Sequence, residues 1–391
     1  MPTTHDTRAL PSSNAPASSA ACPTLEIPCD NRDMPDELTP RQVARPILNI
    51  PPKPLPGERV AVVSPSWAGP GAFPAVHELA MQRLQVEVGV EPVEYPTTRR
   101  LGASPADRAA DLMSAFLDPG IGAVMASIGG DDQLTVIPHL DPDAFRSNPK
   151  PFFGYSDNTN MLNWLWYHGV ASFHGGSTMV HLGRGGATHP VSVTSLRAAL
   201  FTSGEVQLTT VETFSEDPIE WDTPAALTDE PPQRPSAGWR WHQPERVVEG
   251  PTWGGNLEVL HWILAVGRWV RAAEDYAGCI LLLETSEEMP SATEVFRMLR
   301  NIGERGLLGG FSAVVVGRPK AWHFGRPRGD EERAAYAAEQ REAILRALDR
   351  YAPHAMAVFD VDIGHTDPQW VVPYGGSMRI DGPARTIHVR Y

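Results

Sequence analysis

The sequence FFGYSDNT, residues 152–159, is the strongest local pattern of the chain, because an apolar run passes there into a helix-forming segment through one serine. The apolar half predicts a buried strand, and residues 159–168 predict a helix. A serine at such a turn presents its hydroxyl at the carboxyl end of the strand, where doubly wound sheets bind ligands, and the first N–H groups of the helix can stabilise an oxyanion there. The alternative is structural, since Ser156 or Asp157 can simply cap the helix.

Apolar runs and helical patterns of roughly 10 to 15 residues alternate on both sides of this turn. Strands are predicted at residues 59–63, 93–95, 122–127 and 151–155, and helices at 74–88, 106–117 and 159–168. This alternation is typical of an α/β fold with a mostly parallel sheet that is covered on both faces.

The pattern changes between residues 181 and 250. A short helix is predicted at 194–201, whereas 215–250 is rich in Pro, Asp and Glu and has no period, as in a functional loop or an insertion. Periodicity then returns, with helices predicted at 256–266, 292–305 and 330–350, strands at 279–284, 313–317 and 355–360, and a closing hairpin at 378–389.

These changes predict four parts of the chain. Residues 1–45 are rich in Pro, Ser, Thr and Ala and are expected to form a disordered leader, because they cannot bury enough apolar surface to order themselves. An N-terminal domain is predicted at 46–180, a linker with a tryptophan-bearing loop at 181–247, and a C-terminal domain at 248–391.

The composition excludes several classes of protein. The 391 residues include 33 Lys and Arg against 47 Asp and Glu, a formal charge of −14 that argues against binding to a nucleic-acid polymer or to an anionic membrane. No apolar run approaches the roughly 18 residues of a membrane span. Cys22, Cys29 and Cys279 lack metal-ligand spacing, and the first 40 residues lack a secretory signal pattern. We therefore expect a soluble protein of the reducing cytoplasm.

Three further segments place polar groups at the ends of predicted strands. In IGGDD, residues 128–132, two glycines allow a tight turn with inward N–H groups. In LLLETSEE, residues 281–288, Glu284 ends an apolar run and can orient a histidine. In VFDVDIGHTDP, residues 358–368, His365 follows a predicted strand and a glycine. This position is both rigidly held and accessible, as a general base requires. Taken singly, each has an ordinary alternative as a turn, a surface or capping acid, or a structural histidine.

Ser156, Glu284 and His365 follow one another in the chain order nucleophile, acid, base. Each lies at the carboxyl end of a predicted strand, and this order is one of those known for Ser–His–acid triads, which are defined by geometry. Their agreement favours a triad over three unrelated structural residues.

The combination of GYSDNT at 154–159, GGNL at 254–257 and GHTD at 364–367 resembles the LD-carboxypeptidase serine-peptidase family. This family includes muramoyl-tetrapeptide carboxypeptidases and microcin C immunity peptidases. Further segments that match are PGERVAVVSPS at 56–66, RAADLMSAF at 108–116 and IGGDD at 128–132. The resemblance therefore covers most of residues 57–380.

The resemblance implies that Ser156 is the nucleophile, His365 the general base and Glu284 the acid that orients it. The backbone N–H groups of Gly130 and Asp157 would form the oxyanion hole. A flavodoxin-like N-terminal domain with a mostly parallel sheet and a smaller β-rich α/β C-terminal domain would hold the site between them. A homodimer is implied, and neither a metal nor a cofactor is expected.

Two further positions are expected to contact substrate. Asn256 lies in the matching GGNL segment, and Asp131 follows the Gly-Gly pair. Asp131-Asp132 departs from the family pattern, in which small or neutral residues are more usual, and favours an amine-bearing substrate.

Two branches of the family differ in substrate. Murein enzymes remove a terminal D-alanine, whereas the immunity branch hydrolyses an amide between an aspartyl residue and a modified nucleotide and is similar in having a tryptophan-bearing loop beside the site. Here Trp221, Trp239 and Trp241 lie in the 215–250 segment, which favours an aminoacyl-nucleotide substrate, since stacking is worth ~1–3 kcal/mol per base. These rings can instead anchor the insertion to the protein body.

Other functions stay open beside this one. The first is a murein tetrapeptide carboxypeptidase, and the second is a non-catalytic module that binds a nucleotide-like ligand. An ordinary α/β-hydrolase esterase is the third, although Asn158 replaces the second glycine of its nucleophile motif and the His-Gly-Gly-Gly motif is absent.

Overall fold

Two large sheets flanked by helices, and a third sheet of two short strands, organise the computed structural model. The structure describes residues 48–391, so that the predicted leader at 1–45 lies outside the described residues. The strands are β1 (Arg59–Val63), β2 (Glu91–Glu94), β3 (Ala123–Ala126), β4 (Phe152–Gly154), β5 (Ser172–His174), β6 (Glu205–Leu208), β7 (Thr213–Phe214), β8 (Arg234–Pro235), β9 (Arg240–His242), β10 (Val247–Asn256), β11 (Ile280–Glu284), β12 (Ala313–Gly317), β13 (Met356–Val361), β14 (Val372–Tyr374), β15 (Ser377–Asp381) and β16 (Thr386–Arg390).

The α-helices are α1 (Gly69–Ala72), α2 (Pro74–Arg83), α3 (Pro105–Leu117), α4 (Pro142–Ser147), α5 (Thr159–Tyr167), α6 (Pro190–Phe201), α7 (Ala225–Thr228), α8 (Leu257–Val266), α9 (Ala292–Glu304) and α10 (Asp330–Tyr351). Two π-helical segments, Leu84–Val88 and Thr178–Leu182, and several single 3₁₀ turns supplement them. In residues 48–391, none of the helices has the length and apolar character needed to cross a bilayer.

The first sheet has the strand order β14-β5-β4-β3-β1-β2. Strands β1 to β5 run parallel, as the alternation of strands and helices predicts, and this confirms the mainly parallel N-terminal sheet. Strand β14 comes from the C-terminal part of the chain and pairs antiparallel with β5, where Val372 is opposite His174. The C-terminal part therefore contributes directly to the sheet that carries Ser156.

The second sheet has eight strands in the order β6-β16-β15-β10-β11-β12-β13-β9. Its centre, β10 to β13, is parallel, and antiparallel strands flank it on both sides. The predicted closing hairpin is confirmed as β15 and β16. The segment 215–250 is less irregular than its composition predicts, because it contains α7, β8, β9 and the start of β10.

The GGNL segment joins the two sheets where β10 meets α5. A Cβ atom on Gly254 would lie 2.0 Å from the carbonyl oxygen of Leu282, and one on Gly255 would lie 2.7 Å from Thr159 Oγ1, so only glycine fits at either position. The N–H of Asn256 donates to Thr159 Oγ1 at 3.1 Å. The first turn of the helix that follows Ser156 is therefore held directly by the second sheet.

A shared apolar core continues this contact. Trp253 of β10 packs against Trp166 of α5, with ring centroids 6.1 Å apart, and its Nε1 donates to Asn163 Oδ1 at 3.1 Å. The described chain forms one compact unit, and the predicted domain boundaries at 180 and 248 remain a prediction.

Candidate active site

Ser156 occupies a strained turn between β4 and α5. Its φ is +61°, a conformation that costs a non-glycine residue ~1–3 kcal/mol and that clusters at functional sites. Gly129 packs against the turn so closely that a Cβ atom there would lie 2.8 Å from Ser156 Cβ. The capping alternative is wrong, because neither Ser156 nor Asp157 caps α5. The Asp157 carboxylate accepts from Gln133, Asn160 and Ser66, and the N–H of Met161 in the first turn of α5 donates to Gln133 Oε1 at 3.0 Å.

His365 and Glu284 reach Ser156 from the second sheet. His365 Nδ1 lies 2.5 Å from Glu284 Oε2, and His365 Nε2 lies 3.1 Å from Ser156 Oγ. Since Nδ1–H donates to the carboxylate, Nε2 is left to accept the serine proton. The structure thus brings together the three residues expected from the sequence, in the geometry that proton transfer from the hydroxyl requires.

Two glycines allow Glu284 and His365 to approach. Gly364 has φ +91°, and a Cβ atom on it would lie 2.7 Å from Glu284 Cβ, while one on Gly317 would lie 2.9 Å from the same atom. The carbonyl oxygen of Gly364 accepts a hydrogen bond from Gln369 Nε2 at 2.7 Å, which fixes the loop. The glycine before the histidine is therefore a packing requirement of the site.

The imidazole lies in an acidic environment. Burial by itself lowers the pKa of His365, but the charge and hydrogen bond of Glu284, together with the charge of Glu287, outweigh burial and raise this pKa above its usual 6.5. The second carboxylate, Glu287, has its Oε2 3.5 Å from His365 Nε2. Glu284 itself is buried, and its Oε1 has no hydrogen-bond donor in the described chain. The imidazolium that forms when His365 accepts a proton is thus stabilised by charge.

The expected oxyanion hole lies beside the serine. Within residues 48–391, the hydrogen bonds of the two turns leave the N–H groups of Gly130 and Asp157 without a protein acceptor. A Cβ atom on Gly130 would lie 2.2 Å from Ser66 Oγ, so this glycine is needed for the close approach of the 128–132 turn. Burial raises the pKa of Asp157, and hydrogen bonds from Ser66 and Gln133 oppose that rise.

A cavity of about 830 Å³ opens in front of these groups. Its wall includes Ser156, Gly130, His365 and Glu287, and it therefore lies where the carboxyl ends of strands from both sheets meet. No cluster of His, Cys, Asp or Glu side chains in the described residues has the arrangement of a metal site.

Of the three tryptophans predicted to contact substrate, the structure places Trp221 in this cavity. Its ring packs edge-on against Phe73 at 5.4 Å, and Phe73 packs against Trp67 at 5.9 Å. All three rings line the cavity and form an aromatic wall.

The structure does not bring Trp239 and Trp241, which are also predicted to contact substrate, to this cavity. Trp239 Nε1 donates to Asp362 Oδ2 at 3.1 Å, and Trp241 belongs to β9, where it pairs with Val358 of β13 at the edge of the second sheet. Both rings line a separate surface depression. They anchor the 215–250 segment to the body of the protein, as the alternative expected.

The two polar positions expected to contact substrate have different surroundings. Asp131 is exposed on the cavity wall, whereas its neighbour Asp132 makes a bidentate ion pair with Arg108 at 2.7 and 2.8 Å. Asn256 is buried outside the cavity wall, and its side chain caps α8 by accepting from the N–H of Val259 at 3.0 Å. Asn256 therefore has a structural role in this position, contrary to the expectation from the sequence.

Several charged residues of the cavity wall are not singled out by the sequence, and Glu287 and Lys320 are the two that lie nearest the triad. In LLLETSEE, Glu287 follows the strand end and has the ordinary interpretation of a cap or surface acid of the following helix. Lys320 follows the carboxyl end of β12, so the strand-end argument that identified Glu284 and His365 applies to it as well.

Comparison with known proteins agrees with the fold. The sequence models of the LD-carboxypeptidase N-terminal and C-terminal domains match residues 60–175 and 249–380. The microcin C7 self-immunity protein MccF of Escherichia coli is 26% identical over 286 residues, 72% of this chain and 78% of that protein. A probable murein peptide carboxypeptidase of Bacillus subtilis is 25% identical over 343 residues, 87% of this chain and 94% of that protein.

Solved structures show the same architecture. An MccF-like protein from Streptococcus pneumoniae in complex with AMP gives a TM-score of 0.75 at 25% identity, covering 86% of this chain and 99% of that one. MccF in complex with glutamyl sulfamoyl guanosine gives 0.75 at 22% identity, covering 88% and 99%. On the matches to both domains, in the order that the fold requires, the chain belongs to the LD-carboxypeptidase family of peptidases.

Proposed function

We propose that this peptidase hydrolyses an amide bond through an acyl-enzyme formed on Ser156. The observation that carries the proposal is the line of contacts from Ser156 Oγ through His365 to the buried Glu284 carboxylate. A protein that only binds a ligand requires neither these hydrogen bonds nor the strained backbone conformation at Ser156.

The reaction follows from the positions of these groups. Ser156 Oγ attacks the amide carbon while its proton passes to His365 Nε2, and Glu284 stabilises the imidazolium that results. The N–H groups of Gly130 and Asp157 are placed to stabilise the oxyanion. His365 then returns the proton to the leaving nitrogen, the C–N bond breaks, and the acyl group remains as an ester on Ser156. Water, deprotonated by His365, hydrolyses this ester to the free acid.

For the substrate we propose an aminoacyl-nucleotide amide. The aromatic wall of Trp221, Phe73 and Trp67 gives a purine ring a surface to stack on, and the 830 Å³ cavity has the size of sites for ligands of this class. The relatives include a microcin self-immunity protein and an MccF-like protein in complex with AMP. Asp131 and Glu287 supply negative charge for the amino group of the aminoacyl part.

A murein tetrapeptide that ends in D-alanine is the second candidate. It is favoured by Lys320, a cation on the cavity wall that suits a terminal carboxylate, and by the Bacillus relative. Assembly as a homodimer and a cytoplasmic location are also part of the proposal.

A mass-spectrometric assay that offers both substrates side by side tests the proposal. We expect the aspartyl-adenylate amide to be cleaved and the products to be absent with Ser156→Ala. Trp221→Ala should raise the KM of the nucleotide substrate roughly 5- to 100-fold because it removes the stacking surface. Trp241→Ala, a change to a tryptophan outside the cavity, is the matched control and should leave KM unchanged. Release of D-alanine alone would refute the nucleotide assignment and leave the Ser156 chemistry intact.

A further inference from the structure

Within residues 48–391, Lys320 differs from the other lysines in having no hydrogen-bond or ion-pair partner. The sequence contains three lysines, Lys53, Lys150 and Lys320. Lys53 Nζ donates to the carbonyl oxygen of Ala199, and Lys150 Nζ donates to that of Ile121 at 2.7 Å. Lys320 makes neither a hydrogen bond nor an ion pair with any residue of the described chain, although it is half-buried and lines the cavity.

The other cations near the cavity are already neutralised. Arg108 is paired with Asp132, and Arg184 is paired with Asp367 at 2.5 Å. Arg100, on the same wall, is paired with Asp107. Lys320 is therefore the cavity-lining cation of the described chain that lacks a fixed anion.

Three carboxylates influence Lys320 from further away. Glu216 and Asp217 are both engaged by Arg333, at 2.9 and 2.5 Å, and Glu287 points to His365. Burial lowers the pKa of Lys320, and these three carboxylates oppose that effect. A half-buried ammonium without a close partner is costly, so an anion that arrives with the substrate would be bound strongly.

Lys320 also lies in a side cavity next to His365. A small side cavity of about 80 Å³ is lined by His365 and Lys320 together with Asp367 and Trp221, but it does not include Ser156 or Gly130. Trp221, whose ring is proposed to stack on the base of the leaving nucleotide, lines this side cavity together with Lys320. A group beside Lys320 is therefore attached to the leaving half of the substrate rather than to the acyl half.

We propose that Lys320 binds an anionic group of the leaving half, one or two bonds from the scissile nitrogen. The inference rests on the proposed hydrolysis at Ser156 and narrows its substrate class. Two sources share this chemistry, namely the carboxylate of a C-terminal amino acid and the phosphoryl oxygen of a nucleotide phosphoramidate. Lys320 determines specificity, because a substrate without the anion leaves the half-buried ammonium unpaired. The proton transfers of the proposed reaction involve Ser156 and His365 and do not require Lys320.

Matched substrate pairs test this inference. One pair is a tetrapeptide ending in D-alanine and its C-terminal carboxamide, and the other is an aspartyl phosphoramidate of adenosine and its neutral methyl ester. Lys320→Met should lower kcat/KM for the anionic member roughly 10- to 100-fold, mainly through KM, and leave the neutral member within about threefold. Lys320→Arg keeps the charge and should restore most of the preference. The pair whose preference disappears in Lys320→Met identifies the source of the anion.

A purely electrostatic role of Lys320 would give a different result. The positive charge of Lys320 lowers the pKa of His365, so Lys320→Met raises that pKa and moves the acid limb of the pH profile upward for anionic and neutral substrates alike. Rates are therefore compared on the pH-independent plateau. An equal loss for both members of each pair, or an unchanged preference, would overturn the inference while leaving the proposed hydrolysis in place.

Binding gives a readout that does not depend on turnover. Reductive ¹³C-methylation keeps the lysine charge and yields resolvable signals for only three lysines and the N-terminus. The Lys320 signal, assigned by its loss in Lys320→Arg, should shift with D-alanine or AMP and not with D-alaninamide or adenosine, while Lys53 and Lys150 serve as internal controls. If the wild-type protein cleaves none of the four substrates, the proposed function fails. A Lys320 signal that responds to neither anion would overturn the inference on its own.

Discussion

The change Glu284→Gln tests how much the buried carboxylate contributes to catalysis. The substitution keeps the shape of the side chain but removes its charge, 2.5 Å from His365 Nδ1. With charge centres roughly 4 Å apart and an effective dielectric constant of about 20, the lost attraction to the imidazolium is ~4 kcal/mol, or about 10³-fold in rate. If the amide also turns its NH₂ group to Nδ1 and enforces the wrong tautomer, the loss approaches ~10⁴-fold.

The pH profile gives an independent sign for the same change. A general base must be neutral, so activity is present above the pKa of His365 and is lost as pH falls through it. Glu284 raises this pKa, and the acid limb should therefore move to lower pH in Glu284→Gln. Both quantities come from steady-state kcat/KM measured across pH with the preferred substrate.

Glu288→Gln is the matched control, because Glu288 lies in the same loop and is exposed without a side-chain partner in the described chain. It should change kcat/KM less than threefold, as expected for a surface substitution away from the site. A loss of less than tenfold in Glu284→Gln, or an acid limb that moves to higher pH, would refute the role given to this carboxylate.

Two further changes test the packing and the charge around the site. Gly364→Ala should reduce kcat/KM by about 100-fold, because the new Cβ would lie 2.7 Å from Glu284 Cβ. Gly57→Ala is the control: Gly57 also has a positive φ, +86°, but no atom lies within 4 Å of its Cβ position, so this change should lower stability and leave kcat/KM unchanged. Equal activities of the two variants would contradict the role given to Gly364. Burial and then the charge of Glu284 raise the pKa of Glu258 to about 7, so the native state retains a proton that the unfolded chain releases between about pH 4.5 and 7, and stability falls across that window. The free energies of unfolding of Glu258→Gln and the wild type are compared in urea titrations at about pH 4.5 and about pH 8. The difference, variant minus wild type, should increase by about 3 kcal/mol from the lower to the higher pH, and a difference that does not change with pH would contradict the raised pKa.

The sequence predicts the fold well where apolar runs are long. Strand β1 has the predicted bounds Arg59–Val63, and α3 begins after Ser104, which accepts from the N–H of Asp107. The short strands β5 and β14 are not predictable in this way, since β14 pairs with β5 from a distant part of the chain and local periodicity does not encode that pairing.

The candidate site is predictable to the extent that strand ends define it. The strand-end argument identifies Ser156, Glu284 and His365, because parallel strands bring their carboxyl ends to one edge of a sheet. In the structure the three side chains are in contact at that edge. The position of a tryptophan in an irregular segment depends on contacts that composition does not encode. Trp221 therefore reaches the cavity, while Trp241 pairs at a sheet edge.

The rate of amide cleavage by Ser156→Ala tests whether the Ser156 hydroxyl is the nucleophile. The substitution removes the one hydroxyl that His365 Nε2 contacts in the described structure, while circular dichroism and thermal unfolding should show an intact fold. The proposed chemistry predicts a fall of roughly 10⁴- to 10⁶-fold relative to the wild type. Cleavage within tenfold of the wild-type rate, by a correctly folded Ser156→Ala protein, would contradict it.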